Sequence, residues 1–442
     1  MSTLTTKKQN EKKKDQDYPL EHVPMEARKG LVPIACVLVG FTFFTPTMAS
    51  GAQLGAAFSF NELLLIITAG SLILGGYVAT MCYIGAKTGL TAVLSSKYTF
   101  GTIGAKWSDL MLGGTQVFWY GITAEYMGQL FATALGLDGE GWKIFFIIAW
   151  GIIFGFSALY GVKMMAIVSY VAIPAMGVLM ILVFIMAIKE AGSLEAIQAI
   201  QPTSEMTVAS AITVIVGTFA SGGTQASNWS RFAKSGVVAF VAGLIGFLIG
   251  NGIMIFSGML GGLVFQTGDL IELMISMGLI FWALIILTLN IWTTNNATAY
   301  AVGMAGAEFF NKDNKTPFII GGTVIAVVMA CAGVTNIFLP MLGLLGTFVP
   351  PIGGAIMGDY FFVYKQKLPK IQYVKFKAFR WPPLIAYIIG CAVAYITGVY
   401  NIGCPALQGI VATIILVPII NKIFAAIGSD TEHEVAENVE YI

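Results

Sequence analysis

Residues 39–46 read Val39-Gly40-Phe41-Thr42-Phe43-Phe44-Thr45-Pro46, and residues 216–223 read Val216-Gly217-Thr218-Phe219-Ala220-Ser221-Gly222-Gly223. Both start Val-Gly, both bring a phenylalanine within two residues, and both lie inside long apolar stretches. Each is a place where a helix is expected to break: Pro46 removes a backbone donor in the first, and Gly222-Gly223 weakens the second. The segments downstream correspond too, since Gln116 follows Gly40 by 76 residues and Asn290 follows Gly217 by 73. That spacing describes two copies of one five-span unit, and an odd number of spans inverts one copy relative to the other in the membrane. Gly and Pro occur in membrane helices for packing alone. It is their pairing at matching places in two halves that points to the binding site of a carrier.

The rest of the 442 residues supports a lipid solvent. Of these, 57% are hydrophobic and 11% charged, against about a quarter charged in a soluble domain. The mean hydropathy is +0.81. Apolar runs fall at 31–51, 62–84, 109–134, 143–161, 164–188, 207–230, 235–264, 273–302, 317–334, 337–358, 383–399 and 404–425. Twelve spans at about 20 residues each account for roughly 240 residues and leave no separate soluble domain. Continuous apolar runs of this length exclude a β-barrel. The organisation read from the sequence is an all-α integral membrane protein of twelve transmembrane helices. A tail (1–30) precedes repeat one (31–188), inverted repeat two (207–358), two C-terminal spans (383–425) and an acidic tail (426–442).

Threading the chain from a cytoplasmic N-terminus places 22 of the 24 Lys and Arg residues on the cytoplasmic side, with only Lys143 and Lys189 outside. Asp138, Glu140, Glu190, Glu195, Glu205, Asp269 and Glu272 fall near the outer side. This is the asymmetry expected of an inner-membrane protein with both termini in the cytoplasm. The polar start shows no signal-peptide pattern. Four of the five cysteines lie in apolar runs and read as buried thiols. His22 and His433 are the only histidines and both sit in the tails, so neither serves as an intramembrane relay or metal ligand. The acidic stretch 430–440 reads as a solvated charge run.

Polar residues inside the spans mark the candidate site. Gln116 and Trp119 in span three are three apart and share a helical face. A carboxamide beside an indole suits a planar ring edged with amide-like groups, and Phe219 is placed to close the other face of such a ring. Unwound backbone there would offer N–H and C=O groups to its edge. In span eight Asn290, Thr293 and Thr294 follow i, i+3, i+4 spacing and line up three side-chain oxygens. Oxygen ligands of this kind suit a hard cation, and equally serve hydrogen bonding between membrane helices. Apart from Glu125, the expected centres of spans one, three, six and eight carry no ionisable residue, so the substrate is expected to be uncharged. Glu125 lies nine residues after Gln116, facing away from it, and reads as a packing acid or a second coupling site.

At these residues the sequence resembles the cytosine permeases of the nucleobase:cation symporter-1 family. The stretches that carry the resemblance are Ala27-Arg28-Lys29-Gly30, Gly40 to Phe44, Gly85 to Leu90, Leu112 to Val117, Leu289 to Asn295, and Pro350-Pro351-Ile352-Gly353-Gly354. It implies the inverted five-plus-five fold of amino-acid and hydantoin carriers. It implies Na⁺ held by the carbonyls of Gly40 and Phe43 and by Asn290, Thr293 and Thr294. It also implies a base stacked between Trp119 and Phe219, with Gln116, Thr218, Ser221 and Asn295 near its polar edge. Where the family often carries acids after the span-six break and in span eight, this chain has Thr224-Gln225-Ala226-Ser227-Asn228 and Asn295-Asn296-Ala297.

The function expected is import of cytosine with Na⁺ by alternating access, in a monomer with a bilayer and a small nucleobase as its partners and no nucleic acid. The alternatives within that mechanism are a purine, hydantoin or hydroxymethylpyrimidine substrate, or coupling to protons. A membrane enzyme is disfavoured, because the spans hold no histidine and no paired acids.

Overall fold

A computed structural model describes residues 17–137, 139–267, 270–429 and 431–442. The Lys-rich start, Asp138, Asp269 and Asp430 lie outside the described residues. The chain is almost wholly helical, and its first helical unit is broken. α1 (Leu31–Thr42) and α2 (Thr45–Gly55) are separated by non-helical backbone at Phe43 and Phe44, extended at the latter. Their axes bend by 52°. Pro46 sits in the first turn of α2, where its missing N–H costs no hydrogen bond, so it starts the second half rather than snapping a continuous helix.

α3 (Phe60–Thr88) begins with a reciprocal Ser59–Glu62 capping box and ends at Gly89, whose φ of 68° is the left-handed conformation glycine tolerates. Thr91 then caps α4 (Ala92–Ala134) by accepting from the Leu94 N–H. The stretch 85–108, expected as a loop carrying lysines, is therefore mostly helical. α4 runs 43 residues, with a kink at Gly101, where φ is 85°. α5 (Glu140–Ala158), α6 (Gly161–Ala191) and the short α7 (Leu194–Ala199) complete the first half.

α8 (Val208–Thr224) is interrupted at Phe219, with φ −132° and ψ 20°. The sequence places the break at Gly222-Gly223, but helix continues through both. Their lack of a side chain serves close packing instead: a Cβ on Gly222 would lie 2.7 Å from the Phe41 ring, and one on Gly223 2.5 Å from Val78. After α9 (Ser227–Ser230), α10 (Gly236–Leu244) passes through a π-helical turn, Ile245–Gly250, into α11 (Asn251–Phe265). The turn packs on α1, with Gly246 against Leu38 and Gly250 against Thr42. α11 meets α2 backbone to backbone through Gly51, Gly55, Gly258 and Gly262, a pair of small-residue stripes at four-residue spacing.

α12 (Leu270–Ser276), α13 (Ile280–Phe309), α14 (Thr316–Cys331), α15 (Phe338–Phe348), α16 (Pro350–Gly358), α17 (Trp381–Val399) and α18 (Pro405–Ala426) follow. Among the described residues, seven helical stretches are long and apolar enough to cross a membrane, and the bent α1–α2 pair makes an eighth. α4, α8 and α13 are not among them. These are the helices that carry the polar candidate residues, and the fold shields them by packing them inside the others.

The two termini meet on one face. His22 accepts from the Ile371 N–H, and Lys29 bridges to Ala233. The final residues return to the 365–380 loop, where β1 (Val374–Lys375) pairs antiparallel with β2 (Glu434–Val435). Lys375 and Glu434 form a 2.9 Å ion pair, and Lys370 pairs with Glu440. His433 is 6% exposed, with Nδ1 accepting from the Lys377 N–H and Nε2 at 2.9 Å from the Tyr98 carbonyl. The carboxylates of the acidic tail are exposed to water, as its charges imply, while its backbone docks as a short strand on the edge that the basic loop supplies. Burial pushes the His433 pKa down to about 4.

Candidate substrate and cation sites

The two helix breaks bring α1, α4, α8 and α13 to a common point. Phe41, Phe44, Gln116, Trp119, Thr218, Phe219, Gly222, Thr294 and Thr298 line one internal cavity. A water centre has about 10 Å³ in which to move there, room for about one water and not for an aromatic ring. Gln116 Nε2 and Trp119 Nε1 both donate to Ser221 Oγ, at 3.3 and 3.2 Å. Four residues of the sequence-derived set (Gln116, Trp119, Thr218, Phe219) thus line the cavity, and Ser221 holds its two side-chain N–H donors. Asn295 is fully buried but turns elsewhere: its Oδ1 accepts from Thr123 Oγ1 at 2.6 Å.

The expected sandwich of Trp119 and Phe219 is filled by Phe44. That ring stands edge-on to both, with centroids 5.2 Å from Trp119 and 5.4 Å from Phe219. Phe41, also at the cavity wall, packs edge-on against Phe219 at 5.2 Å. Neither Phe41, Phe44 nor Thr298 figures among the sequence-derived candidates. Phe44 carries a usable signal, since it sits at a predicted helix break, where side chains face the cavity the break creates.

Beside this cavity, the five residues proposed for a cation converge as a group. Thr293 Oγ1 donates to the Gly40 carbonyl at 2.9 Å, and Thr294 Oγ1 to the Phe43 carbonyl at 3.4 Å. The Asn290 amide contacts the Phe43 carbonyl, and its Oδ1 accepts from Thr45 Oγ1 at 2.8 Å. Phe43 O is one of the carbonyls freed where α1 stops. The donor set is two backbone carbonyls, two hydroxyls and an amide, all neutral oxygen donors, which suits a hard monovalent cation. Gly40 is required by proximity: a Cβ there would come 2.3 Å from Ser169 Oγ of α6. Thr294 belongs to both groups, so the two sites share a wall.

Glu125 does face away from the cavity. It accepts from the Thr335 N–H at 2.9 Å and Thr335 Oγ1 at 2.7 Å, and pairs with Lys143 at 3.4 Å. It is not the sole acid buried within a helix, however. Asp109 and Glu308, at or beyond the edges of their expected spans, are 2% and 1% exposed. Sequence reading passes over them because span boundaries taken from hydropathy stop short of the helix ends.

Buried polar sites at paired helix breaks in an apolar bundle are the architecture of a multi-pass membrane carrier. The family described as permease for cytosine/purines, uracil, thiamine, allantoin matches residues 22–412. A cytosine permease of Escherichia coli (strain K12) is 31% identical over 409 residues, covering 92% of this chain and 96% of that protein. The chain belongs to this permease family and is a transporter, not an enzyme.

Among solved structures, the nucleobase-cation-symport-1 family transporter Mhp1, closed with bromovinylhydantoin bound, superposes with a TM-score of 0.80. It is 16% identical, and the match covers 92% of this chain and 95% of that one. A substrate-bound, outward-open Na⁺-coupled sialic acid symporter matches at a TM-score of 0.61 and 13% identity, over 97% of this chain and 94% of that one. These two likenesses show the fold.

Proposed function

We propose that the protein imports cytosine together with Na⁺ by alternating access, through twelve spans built as an inverted five-plus-five repeat plus two C-terminal helices. Both termini face the cytoplasm of an inner membrane, and the monomer is the working unit. The observation that carries the reading is the shared wall at Thr294, between a cavity lined by four aromatic side chains and a carboxamide and a cluster of five neutral oxygen donors. Binding at one site thereby favours binding at the other, as coupled transport requires.

The base enters between Trp119 and Phe219 once Phe44 withdraws. Gln116 Nε2 and Trp119 Nε1 exchange Ser221 Oγ for an acceptor on the base, the carbonyl of a pyrimidine being the natural counterpart. Thr218 serves its remaining edge, and Asn295 joins it only by giving up its bond with Thr123. Na⁺ takes the carbonyls of Gly40 and Phe43 with Asn290, Thr293 and Thr294; the two threonine hydroxyls withdraw their O–H groups from the carbonyls and turn their lone pairs to the ion. Cytosine as substrate is supported by the named relative, and the donor set supports Na⁺ over a divalent ion because it holds no carboxylate.

The test is uptake of labelled cytosine into proteoliposomes with and without an inward Na⁺ gradient. Accumulation that needs the gradient supports substrate and ion together. Uptake indifferent to Na⁺ overturns the cation site, and no uptake by folded protein overturns cytosine as substrate.

A further inference from the structure

On the face that carries the termini, α4 and α13 bury a pair of acids that the transport sites do not use. Neither oxygen of the Asp109 carboxylate receives a hydrogen bond from an N–H or O–H among the described residues. Its neighbour is another acceptor: the Asp109 and Glu308 carboxyls lie within hydrogen-bonding reach of each other. Both nearby cations serve Glu308. Lys97 pairs with Oε1 at 3.3 Å and Lys106 with Oε2 at 3.4 Å, and Lys106 also donates to the Glu308 carbonyl at 2.9 Å. No ion pair reaches Asp109 among the described residues. The remaining surroundings are apolar, from Gly113 on α4, Ala305 and Phe309 on α13 and Phe318 on α14. Phe376, beneath Lys97, contributes no charge.

Two carboxylates in contact, both out of water, cannot both be ionised. Lys97 and Lys106 make their contacts with Glu308 and reach Asp109 only at longer range, leaving both its oxygens without a donor among the described residues, so one hydrogen on an Asp109 oxygen satisfies both groups, donating to Glu308. We propose that Asp109 and Glu308 share one proton, making this end of the α4–α13 pair a proton-binding site distinct from the substrate cavity and the cation cluster. Asp109 lies two helical turns from Gln116 on the same helix, so the proton locks together the helix that carries Gln116 and Trp119 and the helix that carries Asn290, Thr293 and Thr294.

The experiment is infrared difference spectroscopy on the full chain in lipid vesicles at neutral pH, comparing wild type with Asp109→Asn. The expected result is loss of one carboxylic-acid C=O band per chain, identified by its shift in D₂O. The amide introduced by that substitution would still donate an N–H to Glu308 and should keep the fold. Should that variant not fold, Glu308→Gln decides: its amide donates to Asp109 and frees both lysines, so Asp109 ionises and the same band disappears. A folded variant whose spectrum retains the wild-type acid band overturns the proposal. The readout involves neither substrate nor Na⁺, so its failure is separable from failure of the transport reading.

Discussion

Replacing Thr293 with valine tests the cation site with the least disturbance of packing. The side chain keeps its branched shape against α1 and loses only the hydroxyl, whose oxygen lies 2.9 Å from the Gly40 carbonyl. Two losses oppose each other. With the ion bound, one neutral ligand disappears, comparable to a polar contact with a charged group at about 1.5–3 kcal/mol. With the ion absent, the hydroxyl's bond to Gly40 is lost as well, an ordinary hydrogen bond of about 0.5–1.5 kcal/mol. The difference, roughly 1–1.5 kcal/mol, weakens the ion and raises the Na⁺ concentration for half-maximal uptake about 5- to 12-fold. The assay is cytosine uptake as a function of external Na⁺ at fixed base concentration. Uptake at saturating Na⁺ should return close to wild type. A half-saturation within twofold of wild type, in protein shown to be folded, would refute the assignment of Thr293 as a ligand.

Trp119→Ala removes one stacking face and one donor, and base affinity should fall by about 1–3 kcal/mol, read as a raised half-saturation for cytosine. Phe44→Ala empties the slot between Trp119 and Phe219. It should lower the melting temperature, with a cost of order 3–5 kcal/mol for a buried Phe, yet leave equilibrium base binding no weaker than wild type. Weaker binding would show that Phe44 is part of the bound site rather than a placeholder. The third concerns pH. A free tail binds a proton on His433 near pH 6.5, whereas the docked imidazole stays neutral down to about 4. The docked strand is therefore fully stable above about pH 6.5, loosens as pH falls towards 4, and loses no more below that. Hydrogen exchange at Glu434 and Val435 should rise over that window, and His433→Gln should flatten the response.

What could be read from the sequence was what depends on local composition and spacing. Apolar runs marked, among the described residues, the seven helical stretches and the bent α1–α2 pair that are long and apolar enough to cross a bilayer, because a bilayer demands about 20 apolar residues in a row, whatever their partners. The paired Val-Gly segments located both helix breaks to within a few residues. Gln116 and Trp119, which line the internal cavity, stood out in the sequence because a polar pair on one face of a membrane helix is costly unless used.

Tertiary structure decided the rest. The second break falls at Phe219 rather than at Gly222-Gly223, because those glycines are needed where Phe41 and Val78 press against α8. Phe44 occupies the aromatic slot, and that depends on the 52° bend between α1 and α2, which no spacing encodes. Asp109 and Glu308 are 199 residues apart, and only the packing of α4 on α13 makes them neighbours. The carboxylates of the acidic tail are solvated, as its own charges imply, but its backbone docks because the loop 365–380, distant in sequence, offers a strand edge and lysines. Composition and periodicity report what each segment must bury; which group lies across from it is set by segments far away in the chain.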